Sequence, residues 1–220
     1  MSIYPLLENN HPLLKIPLEE YSEEAEDFVL GEASSNSESK LQLLENLVET
    51  MRHYNGIGLS ANQCGVMQRV FVMYSNVKER KIIGCFNPQI LQYSDDLIEM
   101  EEGCLTYPGL WLKVKRPSGI HAIFEDVEGT KQEYEMFGLE SRVFQHEMDH
   151  MEGIDFTKKV SKLRLDRARK RVKKFKKLGK KFDNLLSKKL VSNFIYSLTN
   201  DQTKVIEEIN KDLKSEFKMF

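Results

Sequence analysis

Two histidines and a glutamate within one short stretch could together carry out metal-assisted hydrolysis. The stretch is residues 144–150, with the sequence FQHEMDH. In a helix, residues four apart lie on one face, so His146 and His150 can present ring nitrogens to the same ion. Glu147 can then reach a water held in an open coordination position, which is the chemistry of H-E-x-x-H helices. The spacing predicts a metal centre on a helix, and the alternative is a chance pattern on a polar helix face.

A catalytic zinc-type site needs three protein ligands and one open position, so a third ligand has to come from elsewhere in the chain. A carboxylate is one possibility, and the other candidates are Cys64, Cys85, Cys104, His11, His53 and His121. Cys104 is the best choice on physical grounds, because Gly103 gives its backbone freedom and the following Pro108-Gly109 pair sets a turn. Spacing alone leaves the choice open.

The composition is typical of a globular protein from a reducing compartment. The 220 residues are 40% hydrophobic and 30% charged, which suffices for one well-cored domain with appendages or for two small domains. The first residues, MSIYPLLE, resemble neither a signal peptide nor a transit peptide, and no apolar run approaches the roughly 20 residues of a membrane span. Three cysteines at scattered positions argue against a disulfide framework. We therefore expect a cytoplasmic protein.

The net charge of -2 conceals a strongly basic segment. Residues 158–181 contain 14 Lys or Arg and a single acid, Asp166, whereas the rest of the chain carries 18 basic and 33 acidic residues. An apolar stripe at helical spacing runs through and just beyond this segment, which predicts an amphipathic basic helix. The stripe comprises Val172, Phe175, Leu178, Phe182 and Leu185. A basic rod joined to an acidic body suggests that the two parts meet different partners.

The first half of the chain predicts an acidic loop followed by a helix. Residues 19–40 are acidic and then rich in Ser and Asn, which indicates a loop. A core-facing helix should follow, capped by Ser37 or Ser39 and stopped at Gly56. Its apolar positions at helical spacing are Leu41, Leu44, Val48 and Met51. Residues 56–63, GIGLSANQ, form either a small-residue loop that a ligand approaches closely or an ordinary tight connection.

The remaining elements before residue 153 are predicted to be strands and one helix. Residues 69–74 and 81–86 are β-branched and aromatic runs, the second closed by Asn87-Pro88, and 90–100 is a third strand or an irregular edge. Residues 120–124 and 132–136 should form a hairpin. The motif helix should span residues 139–152 and end at Gly153. A last helix is predicted after Asn200 or Asp201.

Three short blocks, in this order, resemble the three motifs of the peptide deformylase family. They are GIGLSANQ at residues 56–63, EGCLT at 102–106 and QHEMDH at 145–150. Each block is modest alone, but the trio is highly specific, and the resemblance runs from about Pro12 to Phe156. It implies an α+β fold in which a mostly antiparallel, curled sheet surrounds the metal-binding helix. We expect a catalytic domain over residues 1–156 and a helical, basic C-terminal extension over residues 157–220.

The resemblance implies a hydrolase that removes the formyl group from the N-terminal formyl-methionine of new polypeptides and releases formate. Cys104, His146 and His150 would hold one divalent metal ion, Fe²⁺ or Zn²⁺. Glu147 would act first as the general base and then as the acid.

The same resemblance assigns residues to the substrate. The Gln63 amide and the Leu105 backbone N–H would form the oxyanion site, and the Gly58 main chain would bond the substrate backbone. The methionine pocket would be walled by Ile57, Leu139 and Val143.

Two acids near the proposed metal ligands, Glu102 and Asp149, each have two possible roles. Pairing of Glu102 with Arg116 would brace the Cys104 loop, and the alternative is an ordinary surface carboxylate. Asp149 either holds a histidine in the right tautomer or lies on a solvated face. Two positions depart from the family pattern, because Asn62 stands where many members have Pro or Thr and Thr106 replaces the more usual Ser. Neither residue is a proposed ligand, so we expect activity to survive.

Three further hypotheses concern partners and competing functions. Residues 158–189 could dock on ribosomal RNA through phosphate contacts, and the alternative is a solvated face of a helix that packs on the body. A zincin-type peptidase shares the H-E-x-x-H helix, but no third His or Glu ligand lies downstream in the usual peptidase arrangement, and Cys104 lies upstream. The non-enzymatic alternative is a ribosome- or RNA-binding module in which Cys104, His146 and His150 hold a closed structural zinc. Such a site would need a fourth protein ligand, such as Cys64 or Cys85.

Overall fold

The computed structural model describes residues 2–22, 28–29, 32–33, 39–76 and 78–193, and for residues 28–29, 32–33 and 178–193 it describes the backbone alone. The helix predicted after Asn200 and the Ser- and Asn-rich part of the acidic loop lie outside these residues. Within them, the acidic loop contains two short strands.

The described chain contains three α-helices, nine strands and three 3₁₀ turns. The helices are α1 (Lys40–His53), α2 (Gly138–Met151) and α3 (Lys162–Asn193). The strands are β1 (Phe28–Val29), β2 (Glu32–Ala33), β3 (Gly58–Ser60), β4 (Val70–Asn76), β5 (Lys81–Tyr93), β6 (Leu97–Glu102), β7 (Leu112–Pro117), β8 (Gly119–Glu125) and β9 (Lys131–Phe137). The 3₁₀ turns are Pro12–Lys15, Ala61–Cys64 and Phe156–Lys159.

The strands form one five-stranded sheet and two hairpins. The large sheet has the order β3-β4-β5-β8-β9, and the hairpins are β1-β2 and β6-β7. All these strand pairs are antiparallel. The predicted α+β class and the predicted antiparallel pairing are therefore confirmed. Because β3 is at one end of the order, one of its edges is free of strand neighbours among the described residues.

The large sheet is covered by a helix on each face. In β4, Val70 and Val72 belong to an apolar cluster with Leu47 and Met51 of α1. The alternate residue Phe71 belongs to the cluster on the other face, where its ring meets Phe144 of α2 edge to face. Successive side chains of a strand point to opposite faces, so a strand covered on both sides reads as one continuous apolar run. This arrangement places α2 directly against the sheet.

Helix α1 begins where the sequence predicted, and three of its four predicted apolar positions pack on the core. Ser39 is the N-cap, and its hydroxyl accepts a hydrogen bond from the Gln42 N–H at 3.2 Å. The helix ends at His53, and Asn55 rather than Gly56 takes the left-handed conformation, with a φ of 56°. Leu41 is exposed, so its assignment to the core-facing stripe was wrong. Leu44 and Val48 are partly buried against the apolar cluster that contains Met51. The buried residues of the helix are Leu43, Asn46, Leu47, Thr50 and Met51.

Three features of the strands differ from the sequence predictions. Strand β5 does not stop at Asn87-Pro88 but continues to Tyr93. The register between β5 and β8 shifts between Phe86 and Gln89, and such an irregularity accommodates a proline that cannot donate to the ladder. Strand β7 was missed, and residues 56–63 contain β3 and a 3₁₀ turn rather than a loop alone.

The basic helix α3 packs through its first three turns. Leu165, Ala168 and Val172 contact an apolar cluster of four buried residues, Leu110, Leu112, Val114 and Phe156. Phe175, predicted to lie on the apolar stripe, is exposed, and the stripe beyond it lies where the structure describes the backbone alone. None of the described helices is both long enough and apolar enough to cross a membrane.

Candidate metal centre and substrate pocket

Three potential metal ligands converge at one side of a pocket. Cys104 follows β6, and His146 and His150 lie one turn apart on α2. Their ligand atoms all lie within 4.8 Å of one another, and Cys104 Sγ is 3.3 Å from His150 Nε2. Two ligands of a tetrahedral ion with bonds of about 2.0–2.3 Å stand about 3.5 Å apart. One thiolate and two imidazoles therefore fit zinc or ferrous iron.

The ionisation of the three cysteines separates Cys104 from the other two. Burial alone would raise the pKa of Cys104, but the charge of His150 and the hydrogen bonds with His146 and His150 hold it well below its usual range. The thiolate is the form that binds metals. Burial raises the pKa of Cys64 to about 12 and that of Cys85 well above its ordinary value.

The described residues do not supply the fourth protein ligand that a closed structural zinc site would need. Over the described residues, the group of His, Cys or carboxylate ligands that could hold an ion comprises Cys104, His146 and His150. Cys64 and Cys85 do not belong to it. The geometry thus fits a site with an open position better than a closed one.

His146 is oriented by Glu102. Its Nδ1 lies 3.0 Å from Glu102 Oε2, which leaves Nε2 to face Cys104 and His150. Arg116 donates two hydrogen bonds to the same carboxylate, from Nε to Oε1 at 2.7 Å and from Nη2 to Oε2 at 2.9 Å. Arg142 Nη1 donates a third to Oε1 at 2.8 Å. Burial would raise the pKa of Glu102, but the hydrogen bonds with His146 and Arg116 outweigh it and hold the pKa well below its usual range. Glu102 is therefore a buried anion and not a surface carboxylate.

Asp149 extends this network away from the pocket. Its Oδ2 accepts a hydrogen bond from Arg116 Nη1 at 2.6 Å, and its Oδ1 lies 2.8 Å from Lys159 Nζ. Asp149 thus braces an arginine rather than a histidine ring. The chain from Asp149 through Arg116 and Glu102 to His146 links α2 to the β6-β7 hairpin.

Glu147 lies at the wall of the pocket, next to the three ligands. It is 3% exposed, and Ser60 Oγ donates to its Oε2 at 2.6 Å. Burial raises the pKa of Glu147, whereas the charges of His146 and His150 and the Ser60 hydrogen bond oppose the rise. A carboxylate with a raised pKa is a better proton acceptor near neutral pH than an ordinary one.

Gln63 lines the same pocket and lies close to Cys104. Its Oε1 accepts from the Ser60 N–H at 3.0 Å. The amide Nε2 donates to Thr106 Oγ1 at 2.8 Å and lies 3.4 Å from Cys104 Sγ. The amide is therefore held with its N–H groups towards Cys104. Leu105, the other residue predicted for the oxyanion site, lies in the pocket wall beside Cys104.

The pocket has a volume of about 360 Å³, and the residues predicted to bind substrate line it. Ile57 and Leu139 are partly exposed at its edge, whereas Val143 is buried. Gly58 lies between β3 and α2, where a β-carbon would come within 2.8 Å of Val143 Cγ1 and closer still to Glu147. Only glycine fits there.

Two residues of the site were missed from the sequence. Ser60 holds Glu147, but no spacing rule connects residues that lie 87 positions apart. Arg142 contacts Glu102, and its position four residues before His146 could have marked it as facing the same side of the helix.

Comparisons with known proteins converge on one family. The model of a family described as polypeptide deformylase matches residues 4–166. A peptide deformylase of Salinibacter ruber is 36% identical over 160 residues, which cover 68% of this chain and 82% of the relative. The peptide deformylase of Thermotoga maritima is 36% identical over 124 residues, covering 56% of this chain and 74% of the relative.

Solved structures give the same result. A peptide deformylase from Legionella pneumophila superposes with a TM-score of 0.68 at 29% identity, covering 80% of this chain and 97% of that one. A peptide deformylase from Synechococcus elongatus, in complex with actinonin, superposes with a TM-score of 0.66 at 29% identity, covering 76% and 86% of the two chains.

Proposed function

The chain belongs to the peptide deformylase family, and from this membership we infer that it is a metal-dependent hydrolase acting on N-formylmethionyl peptides. It removes the formyl group from the N-terminal formyl-methionine of nascent polypeptides and releases formate. One observation supports the residue assignments above all others. A buried carboxylate, Glu147, lies beside three metal-ligand atoms within 4.8 Å of one another, at the wall of a pocket that can hold a side chain.

The metal would be held by Cys104, His146 and His150, and we propose ferrous iron or zinc. When bound, a divalent ion lowers the pKa of a water from about 15.7 toward 7 and draws electron density from the formyl oxygen. Glu102 keeps His146 in the tautomer whose Nε2 can serve as a ligand. The lowered pKa of Cys104 favours the thiolate, the form that binds metals.

The substrate backbone would add to the sheet as an extra strand. The free edge of β3 at Gly58 offers main-chain groups to an extended peptide, which is how peptides bind to exposed sheet edges. The methionine side chain then enters the pocket between Ile57, Leu139 and Val143. This placement holds the formyl carbon near Glu147 and converts the attack of water into an intramolecular step.

Glu147 acts first as the general base and then as the general acid. It accepts a proton from the attacking water while the water oxygen bonds to the formyl carbon. It then gives that proton to the amide nitrogen as the carbon–nitrogen bond breaks. The products are formate and a free amino terminus, so all atoms of the water and the formamide are accounted for.

Gln63 and the Leu105 N–H would meet the negative charge that develops on the former formyl oxygen. Donors fixed in advance stabilise such a charge without reorganisation during the reaction. The two hydrogen bonds of Gln63, one through Oε1 and one through Nε2, supply that fixation.

The test is formate release from a formyl-Met peptide by anaerobically purified protein, with an acetyl-Met peptide as the control substrate. Glu147→Gln removes the proton acceptor and should reduce kcat by about 100- to 10,000-fold while metal content is unchanged. Glu140→Gln is a matched control, because Glu140 lies on the same helix but does not line the pocket. Release of acetate from the acetyl-Met peptide at a comparable rate, or full activity of Glu147→Gln, would contradict the proposal.

We further propose that residues 158–189 dock the enzyme on ribosomal RNA, where new formyl-methionine chains emerge. Leu165, Ala168 and Val172 turn one face of α3 towards the body. The Lys and Arg residues from Lys162 to Lys177 are exposed on its other faces and can contact phosphates. The three free cysteines suit the reducing cytoplasm that this partner implies.

Charge reversal in the full-length chain tests the docking. One variant exchanges four exposed basic residues of α3 for Glu, namely Lys170, Arg171, Lys173 and Lys174. The control variant exchanges four exposed lysines outside α3 for Glu, namely Lys15, Lys113, Lys115 and Lys131. Co-sedimentation with ribosomes should fall steeply with salt for the wild type and be lost only in the α3 variant. Equal pelleting of the two variants would contradict docking.

A further inference from the structure

Trp111 is a large apolar side chain that lines the pocket and yet remains 47% exposed. Ile57 and Leu139, which are also partly exposed there, belong to the proposed methionine pocket, but Trp111 has no part in the steps described so far. Exposed apolar surface beside a groove marks a place where a ligand or a partner makes contact. The tryptophan is therefore a candidate contact for a part of the substrate other than methionine.

The indole ring packs on Gly103, the residue directly before the proposed metal ligand Cys104. A β-carbon at Gly103 would lie 3.2–3.3 Å from Cη2, Cζ3 and Cε3 of Trp111. Because Gly103 has no side chain, the six-membered ring can rest on its backbone. This contact fixes the ring beside the metal-binding loop, so the exposed part of the indole is the side turned away from Gly103.

Strand alternation places Trp111 on the outer face of the β6-β7 hairpin. Glu102 and Leu112 are paired across the hairpin, and both are buried. Their neighbours Glu101 and Lys113 are also paired, point to the opposite face and are exposed. Trp111, one residue before β7, shares this outer face. Within the described part of the chain, neither an aromatic ring nor a cation stacks on its indole.

An extended substrate brings one particular side chain to this ring. In the proposed complex the peptide lies along β3 at Gly58, and the methionine side chain enters the pocket. Successive side chains of a strand point to opposite faces, so the third side chain points the same way as that of methionine, about 7 Å further along. The second side chain points away. The third residue of the formylated chain is therefore the one that can reach Trp111 at the edge of the pocket.

We propose that Trp111 contacts the third residue of the formylated chain and selects an aromatic side chain at that position. Offset or edge-to-face packing of two aromatic rings is favourable beyond the burial of apolar area. A tryptophan that Gly103 already holds in place loses little conformational freedom when a second ring packs on it. The inference rests on the proposed function, because it concerns the substrate of the same reaction, and it extends recognition beyond the methionine.

The kinetic test compares kcat/KM for formyl-Met-Ala-Phe and formyl-Met-Ala-Ser. The wild type should prefer the phenylalanine peptide by roughly threefold to tenfold, as expected for one aromatic pair. In Trp111→Ser this preference should fall to about one. Trp111→Ser should not alter the ratio between formyl-Met-Phe-Ser and formyl-Met-Ala-Ser, because these peptides differ at the second residue, whose side chain points away from the ring.

Tyr93→Ser is the matched control. Tyr93 is an aromatic residue that is 52% exposed, but it lines a separate groove with Asp149 and Glu152 of α2. The preference for phenylalanine at the third position should persist in this variant. The comparison therefore separates a contact at the substrate pocket from a general effect of removing an exposed ring.

Trp111 is the only tryptophan in the chain, so its fluorescence reports on the contact directly. The product Met-Ala-Phe should shield the indole from quenching by acrylamide in the full-length protein, because its third side chain covers the ring. The product Met-Ala fills the methionine pocket without reaching Trp111 and should leave the quenching nearly unchanged. Both products are added at concentrations that saturate the pocket by calorimetry, so the measurement needs neither a variant nor turnover.

Equal kcat/KM for the phenylalanine and serine peptides in the wild type, or a preference that survives Trp111→Ser, would overturn the inference. Unchanged quenching with Met-Ala-Phe bound would overturn it as well, and this result does not depend on how Trp111→Ser folds. Hydrolysis of the formyl peptides by the wild type without preference contradicts this inference alone. Hydrolysis of none of them contradicts the proposed function as well.

Discussion

The Ser60 hydroxyl donates a 2.6 Å hydrogen bond to Oε2 of Glu147, although the two residues are 87 positions apart in the chain. Ser60 ends strand β3 and Glu147 lies in the middle of α2, so the bond ties the edge strand to the motif helix. Both residues are buried. The hydroxyl stabilises the ionised form of a carboxylate whose burial favours the neutral form.

Ser60→Ala should shift the acidic limb of the pH profile. Glu147 accepts a proton only when it is ionised, so kcat/KM falls as the pH falls through its pKa. The Ser60 hydrogen bond lowers that pKa, and its loss raises it, which moves the limb to higher pH. The measurement is kcat/KM for a formyl-Met peptide across the acidic and neutral range. Ser141→Ala is the control, because this buried serine on α2 bonds Gln145 instead, and coincident profiles would refute the assignment.

Gln63→Leu should reduce kcat by about 100- to 1,000-fold, the usual effect of removing one oxyanion donor. The affinity for the product peptide should change little, because the lost interaction forms only as charge develops on the oxygen. Steady-state kinetics and calorimetry measure the two quantities, and thermal unfolding verifies the fold. Thr106→Ser keeps the hydroxyl that accepts from Gln63 and should retain wild-type activity. A variant at position 63 with an unchanged kcat would exclude the amide from the reaction.

Glu102→Gln should alter the dependence of stability on pH. The pKa of Glu102 is lowered in the folded state, so its ion pairs contribute fully above the unfolded pKa of about 4.3 and are lost as the pH falls through the folded pKa. At neutral pH the variant should be less stable by about 3–5 kcal/mol, because two arginines lose their anionic partner. Urea unfolding of the metal-free proteins should show that the difference in unfolding free energy between wild type and Glu102→Gln becomes smaller as the pH falls.

The control for this experiment is Glu99→Gln. Glu99 also pairs with an arginine, Arg164, at 2.8 Å, but both side chains are exposed to solvent. Exposed pairs contribute little to stability. A gap between wild type and Glu102→Gln that stays constant down to strongly acidic pH would show that the ion pairs are not its source.

The sequence predicted the class of the fold better than the limits and faces of its elements. Period-2 and helical patterns indicated β4, β5, β8, β9 and α1 because these elements have strong local signals. Which face of α1 is buried depends on the sheet that covers it, so Leu41 was assigned to the wrong side. Strand β5 passes a proline because β8 tolerates a shift in register, which no local pattern reveals.

The same distinction applies to the site. Residues that share a short motif, such as His146, Glu147 and His150, could be predicted because one helix turn positions them. The roles of Ser60 and Arg142 could not, because their contacts form only when β3 and the β6-β7 hairpin pack against α2. Contacts across distant segments depend on packing that a single sequence does not display.

The packing of α3 offers a direct comparison between two leucines on one helix. Leu165 packs against the apolar cluster of Leu110 and Phe156, whereas Leu163 is 60% exposed. Leu165→Ser should lower the free energy of unfolding by about 1–2 kcal/mol, since a partly buried leucine loses part of its transfer free energy. Leu163→Ser should leave it nearly unchanged. Urea unfolding of the two full-length variants measures both values, and equal effects would show that α3 does not pack on the body in solution.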